Sequence, residues 1–184
     1  MFKHIAIAAA LVIASSSAAA QQPAKFYIGA DVTSTEVDDF DGKETGYGAF
    51  IGYKVNPNIA IEAGYRRLAD GTMSYSETIS GVVVKGTDKF KYDQTSISVI
   101  GTLPLSSGFG LYGRLGYNHV KMKETFTVSA GNYSESESWS DSESRVLYGA
   151  GLSYDFSPAV SGRLEVQKPH GDVTTLAAGV SFSF

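Results

Sequence analysis

Cysteine is absent from this sequence of 184 residues, and histidine, tryptophan and proline are scarce. Without cysteine the chain has no disulfide bonds and no thiolate metal ligands. With three histidines it offers few groups for metal binding or for general acid–base catalysis, and we expect neither a cofactor nor a metal. The 19 acidic residues outnumber the 15 basic ones. A nucleic-acid partner is therefore not expected, because it would require a basic surface.

A hydrophobic run long enough for a transmembrane helix is also missing. Such a helix needs about 20 apolar residues, and the apolar stretch Ile5–Ala14 is much shorter. It follows a basic residue and precedes small residues at Ala18 and Ala20, which predicts a secretory signal peptide over residues 1–20. The exported part, residues 21–184, is then either soluble or a β-barrel.

The sequence has instead a persistent period of two residues. Near its end, one face of the alternation is apolar and the other small or polar; the apolar face carries Leu176, Ala178, Val180, Phe182 and Phe184. Such alternation predicts β-strands. We predict eight of them, at roughly 26–35, 44–55, 59–70, 89–103, 109–123, 144–156, 159–168 and 173–184.

The predicted connections differ in length at the two ends of these strands. Short turns fall at 56–58, 104–108 and 157–158, and long polar loops at 36–43, 71–88, 124–143 and 169–172. Short periplasmic turns and long extracellular loops are typical of outer-membrane barrels. A soluble barrel or sandwich is the alternative, but it would carry more charge on the face opposite the apolar one. We therefore predict an all-β fold, an eight-stranded antiparallel up-and-down transmembrane β-barrel.

Aromatic residues fit that prediction, because amphipathic rings favour the membrane interface. One group falls near the predicted periplasmic rim and another near the outer rim. The first group is Phe26, Tyr53, Phe156, Phe182 and Phe184, and the second is Tyr47, Tyr65, Tyr117 and Tyr148.

Four stretches of the sequence resemble the OmpA-type transmembrane barrel family. They are residues 26–30 (FYIGA), 48–57 (GAFIGYKVNP), 62–65 (EAGY) and 163–167 (RLEVQ). The resemblance implies residence in the cell outer membrane, contact with its lipids including lipopolysaccharide, and handling by periplasmic chaperones and the outer membrane assembly machinery. Val180, Phe182 and Phe184 look like the signal that such barrels show to that machinery. Because the sequence stops at Phe184, we do not expect the peptidoglycan-binding domain of the full-length family members, and in this respect the chain resembles the smaller OmpX-like, Ail-like and opacity-type relatives.

The interior of an eight-stranded barrel is just wide enough for its own side chains, so we do not expect a wide pore. The charged residues predicted to point inward are Asp31, Lys54, Glu62, Arg66, Arg114, Arg163 and Glu165. Buried charges are costly unless they are paired. We predict a lumen salt-bridge network of Glu62, Arg66, Arg114, Arg163 and Glu165, with a proton or ion path as the alternative.

The family resemblance adds a more specific expectation for the lumen. In the family, residues resembling Glu62 and Arg163 form an interior gate, and a small channel opens when each takes another partner, a lysine and a second glutamate. These partners fall on Ile100 and Ser153 here. We therefore expect a permanent plug, with no cation competing for Glu62 and with Glu165 partly replacing the missing carboxylate.

The long loops are rich in acidic residues. The first contains Glu36, Asp38, Asp39 and Asp41, and the segment 132–144 contains Glu135, Glu137, Trp139, Asp141 and Glu143. They are either simply solvated or bind divalent cations or a basic partner. Residues 38–42 lack the ligand spacing of an EF-hand, which makes them a poor calcium site.

An enzymatic function has little support in the sequence. His119 is predicted near the outer end of the fifth strand, where Ser129 or Glu124 could approach it, and a lipid A-modifying site is the resulting alternative. We expect instead a non-enzymatic barrel with a filled lumen, which contributes to envelope integrity and to surface interaction through its acidic loops. A narrow, low-conductance channel is the second alternative.

Overall fold

The computed structural model describes residues 24–37, 43–79, 82–130, 133–171 and 173–184. The signal peptide predicted over residues 1–20 lies outside the described residues. The acidic residues Asp38, Asp39 and Asp41 lie outside them too.

Eight antiparallel strands form a closed barrel in which each strand pairs with the next and β8 pairs with β1. The strands are β1 (Phe26–Val37), β2 (Lys43–Asn56), β3 (Ile59–Ile79), β4 (Val82–Pro104), β5 (Phe109–Ala130), β6 (Tyr133–Asp155), β7 (Val160–His170) and β8 (Val173–Ser183). This topology confirms the predicted fold class. In the described part of the chain, no helix is long and apolar enough to cross a membrane.

The two-residue period decides which side chains face outward. Phe26 lies opposite Tyr53 and Ile28 opposite Ile51, so apolar side chains of neighbouring strands share the outer surface. Aromatic rings are in contact at the end with the short turns, where the ring centroids of Phe109 and Tyr154 are 4.7 Å apart. Tyr47, Tyr65, Tyr117 and Tyr148 are exposed towards the other end. An apolar band between two girdles of aromatic residues matches the lipid-facing surface of a transmembrane barrel.

Local polar contacts and backbone geometry make the short turns tight. The side-chain oxygen of Asn56 accepts hydrogen bonds from the backbone N–H groups of Asn58 and Ile59, both at 2.8 Å. Between β4 and β5, Ser107 and Gly108 adopt positive φ angles of 59° and 82°. Two successive residues of positive φ match the type I′ turn that suits a two-residue hairpin.

Two of the four connections that were predicted to be long loops consist mostly of β-strand. The prediction of loops at 71–88 and 124–143 is wrong for the described residues, because β3 to β6 continue through them and reach 21 to 23 residues each. Serine alternates strictly with acidic and aromatic residues from Tyr133 to Ser144, and this alternation supports a strand despite its polar composition.

These extensions form a four-stranded sheet that stands beyond the barrel. The ladder between β2 and β3 ends at the pair Tyr47 and Arg67, and that between β6 and β7 ends at Tyr148 and Lys168. The ladders of β3 with β4, β4 with β5 and β5 with β6 continue beyond these points. We call residues 70–79, 82–93, 121–130 and 133–144 the protruding sheet.

A bulge at the base of the protruding sheet sets its two faces. Arg67 pairs with Asp93 and Ala69 with Tyr92, so Leu68 is an extra residue on β3. Leu68 and Ala69 are both buried, and the alternation of β3 is shifted by one residue from there on. We call the face continuous with the lumen the inner face, and the face continuous with the lipid-facing surface the outer face.

Candidate functional site

The charged side chains inside the barrel come from alternate strands. Asp31 lies on β1, Glu62 and Arg66 on β3, Arg114 on β5, and Arg163 and Glu165 on β7. The even-numbered strands leave room for them with small residues. A Cβ atom added to Gly48 would fall 2.4 Å from Arg66 Cγ and 2.7 Å from Asp31 Oδ1. Glycine at this position of β2 is therefore needed for the charged side chains to pass.

Three acidic and three basic groups form one continuous chain of ion pairs, which we call the ion-pair chain. The members of the chain alternate in sign, and each inner member contacts two opposite charges. From one end to the other, the N···O distances are Arg66–Asp31 2.8 Å, Asp31–Arg163 3.3 Å, Arg163–Glu62 2.7 Å, Glu62–Arg114 2.7 Å and Arg114–Glu165 2.9 Å.

Neutral side chains make further contacts with members of this chain. Tyr27 donates its hydroxyl to Glu62 Oε2 at 3.0 Å, and Tyr112 donates to Glu165 Oε2 at 2.8 Å. Arg66 Nη1 donates to the Gln167 side-chain oxygen at 3.0 Å. The Arg163 guanidinium lies 3.4 Å from the ring centroid of Phe50, a cation–π contact. These four residues were not predicted for the lumen network, although the alternation places Tyr27 on the same face as Asp31.

The structure brings together all five residues predicted for the lumen network, but it changes how they pair. The expectation that no cation competes for Glu62 is wrong, because Arg114 contacts it as closely as Arg163 does. The second carboxylate of Arg163 is Asp31, whereas Glu165 binds Arg114.

Ile100 and Lys54 lie apart from the ion-pair chain. Ile100 is buried on β4 opposite Arg114, as the ladder of β4 and β5 requires. Lys54 donates to Ser183 Oγ at 3.0 Å near the end with the short turns.

A cavity of about 1300 Å³ opens between the short turns, and its lining includes Glu62, Tyr112 and Arg163. Towards the opposite end, apolar side chains such as Leu147 and polar ones such as Asn118 are almost fully buried together. The charged side chains are thus followed along the interior by a mixture of apolar and polar ones.

The outer face of the protruding sheet is basic on balance and rich in hydroxyl groups. Its carboxylates, Asp70 and Asp93, lie near the base of the sheet, opposite Lys91 and Lys121. By register it carries five exposed lysines, Lys85, Lys89, Lys91, Lys121 and Lys123, and six serines of β6 at the even positions from 134 to 144. Cross-strand hydroxyl contacts join Thr125 to Ser138 at 3.0 Å and Thr127 to Ser136 at 2.8 Å.

The inner face has the opposite sign. By register it carries the carboxylates of Glu77, Asp88, Glu124, Glu135, Glu137, Asp141 and Glu143. Glu143 forms a salt bridge with Arg145. No other lysine or arginine falls on this face among the described residues of the sheet. The chain as described also contains no group of three or more acidic or histidine side chains close enough to hold a metal ion.

His119 has different neighbours from those expected. Its Nδ1 lies 2.9 Å from Ser144 Oγ, on the outer face and exposed. The expectation that Glu124 or Ser129 approaches it is wrong. Glu124 faces the opposite side of β5, and Ser129 lies ten residues further along the strand. A serine next to a histidine is a common outcome on a strand in which every second residue is serine.

The three residues predicted as an assembly signal lie on the outward face of β8. Val180 and Phe184 are exposed and Phe182 is half-buried. The Phe184 ring stacks at 6.4 Å from Phe26, and the backbones of these two residues exchange hydrogen bonds of 2.8 and 3.2 Å.

Replacing Glu62 with alanine tests the ion-pair chain. The change leaves two buried guanidinium groups with one carboxylate each, and we expect a loss of about 3 to 5 kcal/mol in the free energy of unfolding. Glu124→Ala removes an exposed carboxylate of the protruding sheet and should change it by less than about 0.5 kcal/mol. Urea unfolding in lipid vesicles measures both. Equal losses in the two variants would contradict the central place of Glu62.

Among curated proteins, the chain is similar to outer membrane protein A of several enteric bacteria. It is 27% identical to the protein of Shigella flexneri and 29% identical to that of Salmonella typhi, with 99% of this chain covered in each case. The matches cover 56% and 55% of those proteins. The chain therefore spans about half the length of these curated relatives.

Solved structures of small outer-membrane barrels share the fold. The attachment invasion locus protein Ail of Yersinia pestis, in complex with the heparin analogue sucrose octasulfate, has a TM-score of 0.52 at 22% identity, with 88% of this chain and 97% of that chain covered. Neisserial surface protein A also has a TM-score of 0.52, at 20% identity, with 86% and 97% covered. Residues 5–184 match the family described as outer membrane protein beta-barrel domain. With a closed eight-stranded barrel, an apolar outer band and this match over nearly its whole length, the chain belongs to the outer membrane protein β-barrel domain family.

Proposed function

We propose that this protein is a non-enzymatic outer membrane barrel that holds the protruding sheet at the cell surface for interaction. The ion-pair chain is the observation that carries the proposal, because it fills the lumen with side chains that hold one another in place. The barrel then serves as a closed base. The long strands β3 to β6 place two chemically distinct faces beyond the membrane, together with free backbone groups along the edges formed by β3 and β6.

A gated channel has less support than a closed base. A gate needs two arrangements of similar free energy. Glu62 already contacts both arginines that lie within its reach, Arg114 and Arg163, and Arg163 already contacts both Glu62 and Asp31. Exchanging partners would break more charge contacts than it makes.

A lipid-modifying enzyme has less support still. The contact between His119 and Ser144 has the reach of a base and a nucleophile. In the described part of the chain, however, no carboxylate forms a hydrogen bond with His119 that would orient its ring. The backbone N–H groups nearby serve the strand ladders, which leaves them unsuited as oxyanion donors.

Shortening the two long hairpins tests the proposal. Asn-Gly would replace residues 73–88 and 126–137, which joins the paired residues Thr72 and Lys89, and Thr125 and Ser138, by two-residue turns. We expect both barrels to be silent in planar bilayers. Cells with the full-length protein should adhere to surfaces coated with serum or matrix proteins, and cells with equal amounts of the shortened barrel should not.

Three results would contradict the proposal. Regular open levels that disappear in Glu62→Ala would show that the lumen switches. Equal adherence of the two strains would show that the protruding sheet is not needed for adherence. Release of acyl chains from lipid A by the wild-type barrel, lost in His119→Ala, would favour the enzyme.

The outer face supports contact with lipopolysaccharide, which would tie the barrel into the envelope. Lys121 lies four residues beyond Tyr117, about 13 Å along the strand and less along the membrane normal because strands are tilted. That distance is appropriate for the phosphate-bearing layer of the outer leaflet. Lys91 and Lys123 lie directly opposite each other. Like charges in this arrangement repel, and an anion between them would relieve the repulsion.

Removing these lysines tests that contact. The variant Lys91→Ser, Lys121→Ser, Lys123→Ser should bind purified lipopolysaccharide more weakly, by about 1 kcal/mol per lysine, and the wild-type affinity should fall with added salt. Lys25→Ser is the control, because Lys25 is exposed at the opposite end of the barrel. Titration calorimetry measures the affinities. An unchanged affinity in the triple variant would exclude these lysines as the contact.

Val180, Phe182 and Phe184 are proposed as the residues that the assembly machinery recognises. Their rings and methyl groups add little to the packed interior because they face outward. Phe184→Ser should therefore reduce the folded barrel in cells several-fold while leaving refolding in detergent nearly unchanged. Phe109→Ser removes an equally exposed ring from the same rim and serves as control. Equal losses in cells and in detergent would count against recognition.

A further inference from the structure

The inner face of the protruding sheet combines carboxylates with a flat aromatic surface. The Tyr75 ring lies over Gly86, where an added Cβ would fall 2.0 Å from it, and the Phe90 ring lies over Gly71 in the same manner, at 2.4 Å. Tyr75 also stacks on Phe126, with 6.5 Å between the ring centroids. The two glycines therefore allow the rings to lie flat against the backbone.

This aromatic surface is open. Met73, Tyr75, Phe126 and Trp139 are between 41 and 66% exposed. Among the described strands, contacts are almost entirely between neighbours in the ladder, with a few more between β1 and β3. No other described strand therefore packs on the inner face. Contiguous apolar surface rimmed by polar groups is typical of an interaction site.

The carboxylates beside it have the spacing of an extended chain. Glu135, Glu137 and Asp141 occupy alternate positions of β6, with Trp139 between them, so neighbouring side chains on this face are about 7 Å apart. Tyr133 donates a hydrogen bond from its hydroxyl to Glu135, and the backbone N–H of Ser142 donates one to Asp141. A single metal ion cannot bridge groups at that spacing, whereas alternate side chains of a strand-like polypeptide match it.

We propose that the inner face binds a cationic polypeptide segment in extended conformation, in which every second residue faces the sheet and these facing residues include both basic and apolar ones. Basic side chains of the segment pair with the β6 carboxylates, and its apolar side chains lie on the surface formed by Tyr75, Phe126 and Trp139. The face carries seven carboxylates and one arginine by register, so it would repel an anionic partner. The inference rests on the proposed surface function and names the partner class for one face of the protruding sheet.

The probe is a synthetic peptide with lysine and leucine in turn at its odd positions and serine at its even positions, so that lysine and leucine lie on one side of the extended chain. The full-length barrel is placed in nanodiscs of zwitterionic lipid, and binding is measured by fluorescence anisotropy after subtraction of the signal from empty nanodiscs. We expect saturable binding that weakens with added salt. The variant Glu135→Gln, Glu137→Gln, Asp141→Asn should bind about tenfold more weakly. Tyr75→Ser combined with Phe126→Ser should weaken binding without changing its salt dependence.

Matched controls separate this face from the rest of the protein. Lys85→Gln combined with Lys89→Gln alters the outer face at the same height and should not weaken binding. A peptide with serine in place of every leucine should bind clearly more weakly than the leucine peptide, and one with glutamate in place of every lysine should not bind. A change of electrophoretic mobility on heating that equals that of the wild-type barrel shows that each variant is folded.

Several outcomes would overturn the inference. These are binding no stronger than to empty nanodiscs, equal binding by the carboxylate variant, and equal binding of the leucine and serine peptides. Self-association of the wild-type barrel that is lost in the lysine variant would show instead that the inner face binds the outer face of a second copy. If the peptide fails to bind while hairpin shortening still abolishes adherence, the proposed function stands and only the partner class falls.

Discussion

The closed hydrogen-bond ladder is the constraint from which the other features of this protein follow. Lipid offers no partner to a backbone N–H or C=O group, so strands can lie in a bilayer only if their ring has no open edge. Here β8 returns to β1, and Phe26 and Phe184 close the seam with reciprocal backbone hydrogen bonds. Once the ring is closed, strict alternation sends each residue either to lipid or to the lumen.

The narrow lumen then decides how charges can be accommodated. Large charged side chains from β1, β3, β5 and β7 meet at the centre, and small residues such as Gly48 on the intervening strands give them space. An isolated ion would be costly there. In the ion-pair chain each inner member has two opposite charges, and the terminal members Arg66 and Glu165 are completed by Gln167 and Tyr112. The result is an ion-pair chain without net charge, built from three acidic and three basic groups.

Alternation made much of this predictable from the sequence. Alternation predicted eight strands, the side chains that face lipid, and the inward direction of Asp31, Glu62 and Arg163. It did not give the order of pairing, because that depends on how far each side chain reaches across the ring. Arg114 therefore emerged as a second partner of Glu62 only in three dimensions. The long hairpins were missed for another reason: serine and glutamate are ordinary loop residues, and here their polar composition concealed a regular period of two.

The protruding sheet also shows how one inserted residue can matter more than many substitutions. Leu68 is that residue, and beyond it β3 directs Met73 and Tyr75 to the inner face and Thr72 and Ser74 to the outer face. Loss or gain of a single residue between this bulge and the tip of the hairpin would exchange the two faces of β3 while β4 kept its own. Insertions and deletions in this segment should therefore be accepted in pairs, so that length variation among related chains would preserve parity here even where sequence identity has been lost.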